Sequence, residues 1–430
     1  MSVENRNPAN ASPRAQNIFE EMSTSQTTPN GHALAIERRL LRRALEQLGH
    51  PPLCFVLWDG SKVSPPGVAP ECELHVRDRG ALWRLISYPE YQFPEMYAQG
   101  RVGSGDDLEH VLDVVQRARR NIDPNGLKWR LLSAFFRPRS GSMASARENI
   151  HSHYDVGNDF YKLWLDEQMV YTCAYFPTPE IALEEAQIAK MDLVCRKLRL
   201  RPGERVVEAG CGWGALALHM ARNFGVKVRA FNISKAQLAL ARERAVREGL
   251  QDAVEFVEAD YREISGTYDA FVSVGMLEHV GPQHYRELGQ IMDRCLSDDG
   301  RGLIHTIGFD RPGRLNAWIE RRIFPGARPP SLGEMMPLFG PNGFSILDVE
   351  NIRQHYALTL RHWLERFNAA QDEVLEMFDP EFVRAWRFYL VSSQTAFTTG
   401  HLQLFQVLFA RKGCNEIPWT RAHLYRDGGF

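Results

Sequence analysis

From Arg205 onward the apolar and polar positions of the chain switch between two periods. Short runs at Arg205 to Ala209, Lys227 to Asn232, Val254 to Glu258, Ala270 to Val274 and Gly302 to Thr306 predict strands. Between them, apolar residues at helical spacing predict helices from Trp213, over Lys235 to Glu248 and through Tyr285 to Leu296. Such alternation predicts an α/β fold, a Rossmann-like parallel sheet doubly wound by helices. Ligands of these sheets bind beyond the carboxyl ends of the strands. The residues expected there are Gly210, Ser234, Asp260, Glu278 and His305.

Upstream the pattern is different. Leu34 to Leu48 carries Ile36, Leu40, Leu41, Ala44, Leu45 and Leu48 on one side and Arg38, Arg39, Arg42 and Arg43 on the other, a basic amphipathic helix. Strands are expected at Phe55 to Gly60 and Glu73 to Val76 and a helix at Asp106 to Arg120, so residues 30–125 form a small α+β domain. Residues 1–29, rich in Asn, Ser, Thr, Pro and Glu, have the composition of a disordered tail. A basic linker, 126–148, leads to the second domain, 149–430.

Charge alters this picture only locally, since the whole chain carries a formal charge of −2. Arg117 to Arg139 sets seven basic residues against the single acid Asp123, with Trp129, Leu131, Leu132, Phe135 and Phe136 interleaved. An anionic membrane surface attracts such a segment, and a solvated linker whose aromatics dock on the next domain has the same composition. Nucleic acid is the third reading, but no extended basic face or base-reading motif supports it. No apolar run is long enough to span a bilayer and no secretory h-region opens the chain, so a cytosolic protein is expected. Seven scattered cysteines without a C-x-x-C pair argue against a disulfide framework and a structural zinc site, and no metal is expected.

The densest chemistry lies in Val206-Val207-Glu208-Ala209-Gly210-Cys211-Gly212-Trp213-Gly214. Here a strand turns into a helix through three glycines at alternate positions, which lets a small molecule approach the backbone next to the unpaired N–H groups of a helix start. Gly210, Gly212 and Ala215 satisfy the loose dinucleotide fingerprint. Two features point elsewhere. Glu208 would repel a pyrophosphate, and the acid expected about 20 residues on is replaced by Phe231-Asn232-Ile233-Ser234. S-adenosylmethionine, cationic and free of phosphate, suits a carboxylate at this place.

Five ordered motifs then make the chain resemble a known family. Tyr171-Thr172-Cys173-Ala174-Tyr175-Phe176, the glycine turn, Ser273-Val274-Gly275-Met276-Leu277-Glu278-His279-Val280-Gly281, His305-Thr306-Ile307-Gly308 and Ile323-Phe324-Pro325-Gly326 are similar to the cyclopropane-fatty-acyl-phospholipid synthases and the related mycolic acid cyclopropane synthases. The similarity runs from about Asn149 to Arg411, and the N-terminal domain fits the phospholipid-acting members loosely. The resemblance implies a class I methyltransferase sheet. It also implies an S-adenosylmethionine-dependent enzyme that adds a methylene group to the cis double bond of a phospholipid acyl chain, with bound bicarbonate as general base. Lipid contact by the N-terminal domain and peripheral attachment to the inner membrane face follow from it, and a homodimer is left open.

Carried over residue by residue, the bicarbonate site comprises Cys173, Glu278, His305, the backbone at Ile307, and Tyr356. Cys173 is expected to act by geometry, because methyl transfer to an alkene needs no covalent enzyme intermediate. The cofactor site comprises Tyr171, Thr172, Glu208, Gly210, Gly212, Ser234, Gln237, Asp260 and Tyr261. Gln237, in place of a ribose-binding acid, has both a donor and an acceptor to offer two hydroxyls. Asp260 is placed to accept from the adenine amino group or to cap the next turn, and Tyr261 to stack on the ring. Tyr154, Phe160 and Tyr175 offer ring faces to a developing cation. Ser393 stands near a family cysteine, and Asn232 where a Thr is common; neither removes a bicarbonate ligand. Transfer without ring closure, or a degenerate lipid-binding protein, are the alternatives, and the presence of Glu278 and His305 speaks against the second.

Overall fold

The computed structural model describes residues 31–105, 107–119 and 156–425, which cluster into two compact units. The expected tail, the linker 126–148 and Tyr154 lie outside the described residues.

The first unit collects the N-terminal residues together with 316–319 and 360–399. Its sheet has the order β2-β1-β3-β4, with β1 (Leu53–Leu57) parallel to β3 (Cys72–Val76) and antiparallel to β2 (Lys62–Val63), and β4 (Val102–Gly103) antiparallel to β3. The amphipathic helix forms as Ala35–Gln47 and buries Leu41 and Leu45 against Leu53, Phe55, Leu74 and Val76. Its buried Glu37 accepts from the Leu34 N–H at 2.8 Å and pairs with Arg79 at 2.8 Å, so the helix start and a second helix are tied by one carboxylate. Helix Pro380–Thr398, remote in sequence, belongs to this unit. Arg384 donates to the carbonyl of Ala98 (2.6 Å), Arg387 to the Tyr97 hydroxyl (2.8 Å) and Gln394 to Glu109 (2.7 Å).

The second unit is built on a seven-stranded sheet of order β10-β11-β9-β8-β5-β6-β7. The five expected strands are present as β5 (Arg205–Ala209), β6 (Lys227–Asn232), β7 (Val254–Glu258), β8 (Tyr268–Val274) and β9 (Leu296–Gly308), all parallel. One strand departs from a purely parallel sheet: β11 (Gln403–Arg411) runs antiparallel between β9 and β10 (Phe344–Asn351). Pairing with β11 accompanies strand structure in β9 out to Gly308, two residues past the expected end at Thr306, so His305 lies within the strand.

Side chains alternate across this sheet. Val206, Val228, Ala230, Val272 and Leu303 pack under helices Leu183–Leu198, Ala215–Phe224 and Lys235–Arg247. Val207, Phe271, Ile304, Phe405, Val407 and Phe409 meet helices Tyr285–Cys295 and Leu332–Phe339 on the other face. By the same alternation Glu208, His305, Gln406 and Glu350 share the first face, the side of helix Leu183–Leu198.

Gly214 shows how tightly the first face is closed. Its backbone is left-handed (φ +82°), and a Cβ there would stand 2.6 Å from Phe256 and 2.9 Å from Ala241. Gly214→Ala should therefore combine overpacking with a left-handed alanine and lower unfolding free energy by about 2–4 kcal/mol, measured by urea denaturation. A loss under about 1 kcal/mol would mean that Phe256 yields without strain.

Candidate active site

Each expected site residue stands at the end of β5, β6, β7, β8 or β9, or on the segment before helix Leu183–Leu198, with Tyr356 on helix Arg353–Ala369. At β5, Glu208 is buried and its Oε2 has no partner among the described residues. Burial pushes its carboxyl up to about 8, and Lys190 is the cation that pulls it back. Lys190 is itself buried, brought down to about 8 by the same loss of water. It donates to Thr172 Oγ1 at 3.0 Å and is held by the charge of Asp166, which accepts from the Gln168 and Val170 N–H groups at 2.9 Å. Thr172 is thus fixed by a lysine that motif reading did not single out.

Gly210 and Gly212 follow in left-handed conformations. At Gly212 the Cβ direction is open, with nothing within 4 Å. That open approach and the unpartnered Glu208 Oε2 are what a cationic cofactor at the turn requires, so the residues fit S-adenosylmethionine. The turn is held from β6 by Asn232, whose Nδ2 donates to the Gly212 carbonyl (3.1 Å) and to Gln237 Oε1 (2.8 Å). Its Oδ1 accepts from the Ile233 and Ser234 N–H groups. Ser234 caps helix Lys235–Arg247 by accepting from Gln237 N–H. With its oxygen engaged by Asn232, Gln237 is left with its amide N–H groups to donate.

At β7 the side chain of Asp260 caps a single 3₁₀ turn, accepting from the Arg262 N–H at 2.9 Å and from its guanidinium at 3.1 Å and 3.2 Å. Of the two roles weighed for it, capping is the one its hydrogen bonds perform. Tyr261 is buried in the apolar layer with Phe231 and Leu277, and the Arg262 guanidinium lies 4.7 Å from its ring centroid. Tyr171 belongs to an aromatic cluster with Tyr161 and Trp164, and Trp213 of the glycine turn meets Tyr161 at 5.1 Å. Phe160 is wholly inside that cluster. Tyr175 stacks on His355 at 4.7 Å.

The acid and base groups gather where β8 and β9 end. Glu278, buried in the short helix Leu277–Val280, accepts from the Ile307 N–H through Oε1 at 2.6 Å. The backbone donor at Ile307 thus serves the Glu278 carboxylate. The same residue's carbonyl accepts from Arg328 N–H at 2.6 Å, tying in the segment after Ile323-Phe324-Pro325-Gly326. Glu278 Oε2 has no partner among the described residues, and burial pushes the carboxyl up to about 7. His305 Nε2 is likewise buried and unpartnered, while Nδ1 meets Gln406 Nε2 at 3.1 Å. Burial holds its ring well below the usual histidine range, with Lys190 and Lys197 adding to the effect. His279 falls to about 4 by burial, its ring 6.3 Å from Phe324.

Cys173 is fully buried, its thiol driven far above the ordinary range, and Sγ donates to the Ala174 carbonyl at 3.0 Å. This side chain is no thiolate nucleophile. The Cys173 segment is docked on the helix that carries Tyr356: Ala174 N–H donates to Thr359 Oγ1 (3.0 Å) and Phe176 N–H to His355 Nδ1 (3.0 Å). Tyr356 is buried one residue from that contact. Lys190, Thr359, Lys197 and Gln406 were not singled out by motif, and Asn232 only as a departure from a common Thr; the two lysines' only sequence signal is a charge amid buried helix positions.

Comparison with known proteins agrees with this fold. The family model described as mycolic acid cyclopropane synthetase matches residues 142–407. A Pseudomonas putida protein described as a probable fatty acid methyltransferase is 34% identical over 89% of this chain and 98% of its own. The cyclopropane-fatty-acyl-phospholipid synthase of Escherichia coli K12 is 41% identical over 63% of this chain and 69% of its own. Among solved structures, mycolic acid cyclopropane synthase CmaA1 complexed with SAH and CTAB superposes with a TM-score of 0.59 at 30% identity, covering 62% of this chain and 98% of that one.

The raised carboxyl of Glu208 gives a signed expectation. A cation binds its ionised form, so S-adenosylmethionine affinity, read by calorimetry, should rise as pH climbs through about 8 and level off above it. Glu208→Gln should bind more weakly and lose the pH dependence. An unchanged slope in that variant would remove Glu208 from the cofactor site.

Proposed function

Since the chain belongs to the mycolic acid cyclopropane synthetase family of S-adenosylmethionine-dependent methyltransferases, we propose that it adds a methylene group to the cis double bond of phospholipid-bound unsaturated acyl chains. In this reading the product is a cyclopropane ring and bicarbonate is the general base. The observation that carries it is the pair of buried, unpartnered atoms Glu278 Oε2 and His305 Nε2. A buried polar group without a partner costs about 1–3 kcal/mol, and two of them, one just after β8 and one on the neighbouring β9, argue for a small polar guest. Bicarbonate has the complementary groups, an O–H to donate to the Glu278 carboxylate and oxygens to accept from His305.

When bound, S-adenosylmethionine supplies the electrophilic methyl, and bicarbonate the acceptor for a proton of that methyl as the ring closes. The chain's own residues then have separable tasks. Glu208 offsets the positive charge of the cofactor, and Gln237 donates to a ribose hydroxyl. Glu278 and His305 hold the acceptor in place, with Cys173 and Tyr356 as further partners on the docked segment and helix. Burial of this layer excludes the water that would quench a carbocation.

A second reading, methyl transfer without ring closure, is favoured by the relative that covers 89% of this chain, which is described as a fatty acid methyltransferase. The two differ only in which proton leaves. Membrane contact is proposed for the first unit, where Arg39, Arg42, Arg43, Leu34 and Ile36 are exposed on or beside helix Ala35–Gln47. No helix among the described residues is long and apolar enough to cross a membrane.

Purified protein incubated with S-adenosylmethionine, bicarbonate and vesicles of unsaturated phospholipid should add one CH2 per modified chain by mass spectrometry, and the acyl products' fragmentation separates a ring from a branch. No mass gain would sink the proposal. Glu278→Gln should lower turnover by ~10²-fold or more while cofactor affinity stays within a few-fold. In the parent protein, turnover should climb as pH rises through about 7, where Glu278 ionises. Replacing Arg39, Arg42 and Arg43 by Gln should weaken sedimentation with anionic vesicles, most clearly at low salt.

A further inference from the structure

His305 is not held by its own strand alone. β9, β11 and β10 place His305, Gln406 and Glu350 side by side, since Gln406 is registered opposite His305 on one side and opposite Glu350 on the other. Lys197, on helix Leu183–Leu198, completes the row: its Nζ donates to Gln406 Oε1 at 2.7 Å and forms an ion pair with Glu350. Lys197 and Gln406 are almost wholly buried.

We propose that Lys197, acting through Gln406, fixes His305 as the tautomer that carries its proton on Nε2, so that the site presents a hydrogen-bond donor to a bound oxyanion. The logic runs one donor at a time. An ammonium only donates, so the atom of Gln406 facing Lys197 is its oxygen; burial lowers the pKa of that ammonium and its ion pair with the Glu350 carboxylate opposes the loss of its proton. The other end of the amide is then NH2, which also only donates. His305 Nδ1 must accept from it, and the proton of a neutral ring is left to Nε2. Burial keeps that ring neutral. Nε2 is the buried atom without a protein partner. With the opposite tautomer it would aim a lone pair at the guest and repel it.

Lys197 and Gln406 are therefore positioning residues. The assignment of a proton to Nε2 stands on hydrogen bonds within the chain, while its use in holding the oxyanion rests on the function proposed above. One experiment separates the two. In protein labelled with ¹⁵N at its histidines, His305 is identified as the resonance lost in His305→Gln, and its two nitrogens are read by long-range ¹H–¹⁵N correlation without any turnover. Nε2 should show the pyrrole-type shift of a protonated nitrogen and Nδ1 the pyridine-type shift. Gln406→Glu keeps the side chain's shape but accepts from both neighbours. It should exchange the two shift types and lower methyl transfer by roughly 10²-fold, with S-adenosylmethionine affinity unchanged.

A proton on Nδ1, or an imidazolium at neutral pH, in the parent protein overturns the proposal. So does a Gln406→Glu protein whose shifts do not exchange, or whose shifts exchange while turnover is kept. Should Gln406→Glu fail to fold, the parent spectrum decides the tautomer, and Lys197→Met, which frees the amide to turn, should give mixed shifts. The expected shifts in a protein that modifies no lipid would retain the tautomer and discard the proposed reaction.

Discussion

Two lysines two helical turns apart, Lys190 and Lys197, are buried beneath the sheet, and the polar architecture of the second unit answers to them. A buried ammonium is costly unless paired and fully hydrogen-bonded. Around Lys190 stand Asp166, Thr172 and Glu208; around Lys197 stand Gln406 and Glu350. These partners come from the segment before the helix, from β5 and from β10 and β11, so satisfying two cations ties one helix to both halves of the sheet. The same two charges help keep His305 neutral. A site that holds the proposed anion would thus receive its positive field from a distance, while the groups proposed to touch the guest are a neutral ring and a titratable carboxyl.

What could be read in the chain beforehand was what is written locally. The five parallel strands, the glycine turn, and Glu278 and His305 in their motifs each announce themselves within about ten residues. β10 and β11 did not. Gln403–Arg411 is a short apolar run that serves equally for a strand or a buried helix by periodicity, and its pairing with β9 spans about a hundred residues. Gln406 means nothing until that pairing exists. Lys190 and Lys197 look like ordinary charges on a helix until both faces of that helix prove to be covered. Helix Pro380–Thr398 shows the same limit at the level of units, because only its hydrogen bonds to Ala98, Tyr97 and Glu109 reveal where it belongs.

The sheet is shared by many methyltransferases and says little about the acceptor. The distinguishing chemistry sits one layer in, where the Glu278 carbonyl accepts from Arg328, one carboxylate oxygen accepts from Ile307, and the other has no partner among the described residues. Asn232 does comparable service on the cofactor side, spanning the glycine turn and Gln237. In both places one side chain fixes backbone, and at Glu278 it leaves one function free, which gives a rigid site from few residues.

Cys173 has a chemical consequence of its own. Its thiol, and those of Cys195 and Cys211, are buried and held in the protonated form, and the partly exposed Cys72 is raised to about 11. Peroxides and electrophiles react with thiolates. With the lipid substrate proposed above, the protein would work among lipid oxidation products, and the buried Cys173 gives them no thiolate to attack. By the same token thiol-directed inhibitors would pass Cys173 by, so blocking the site calls for a molecule that competes for the cofactor's place.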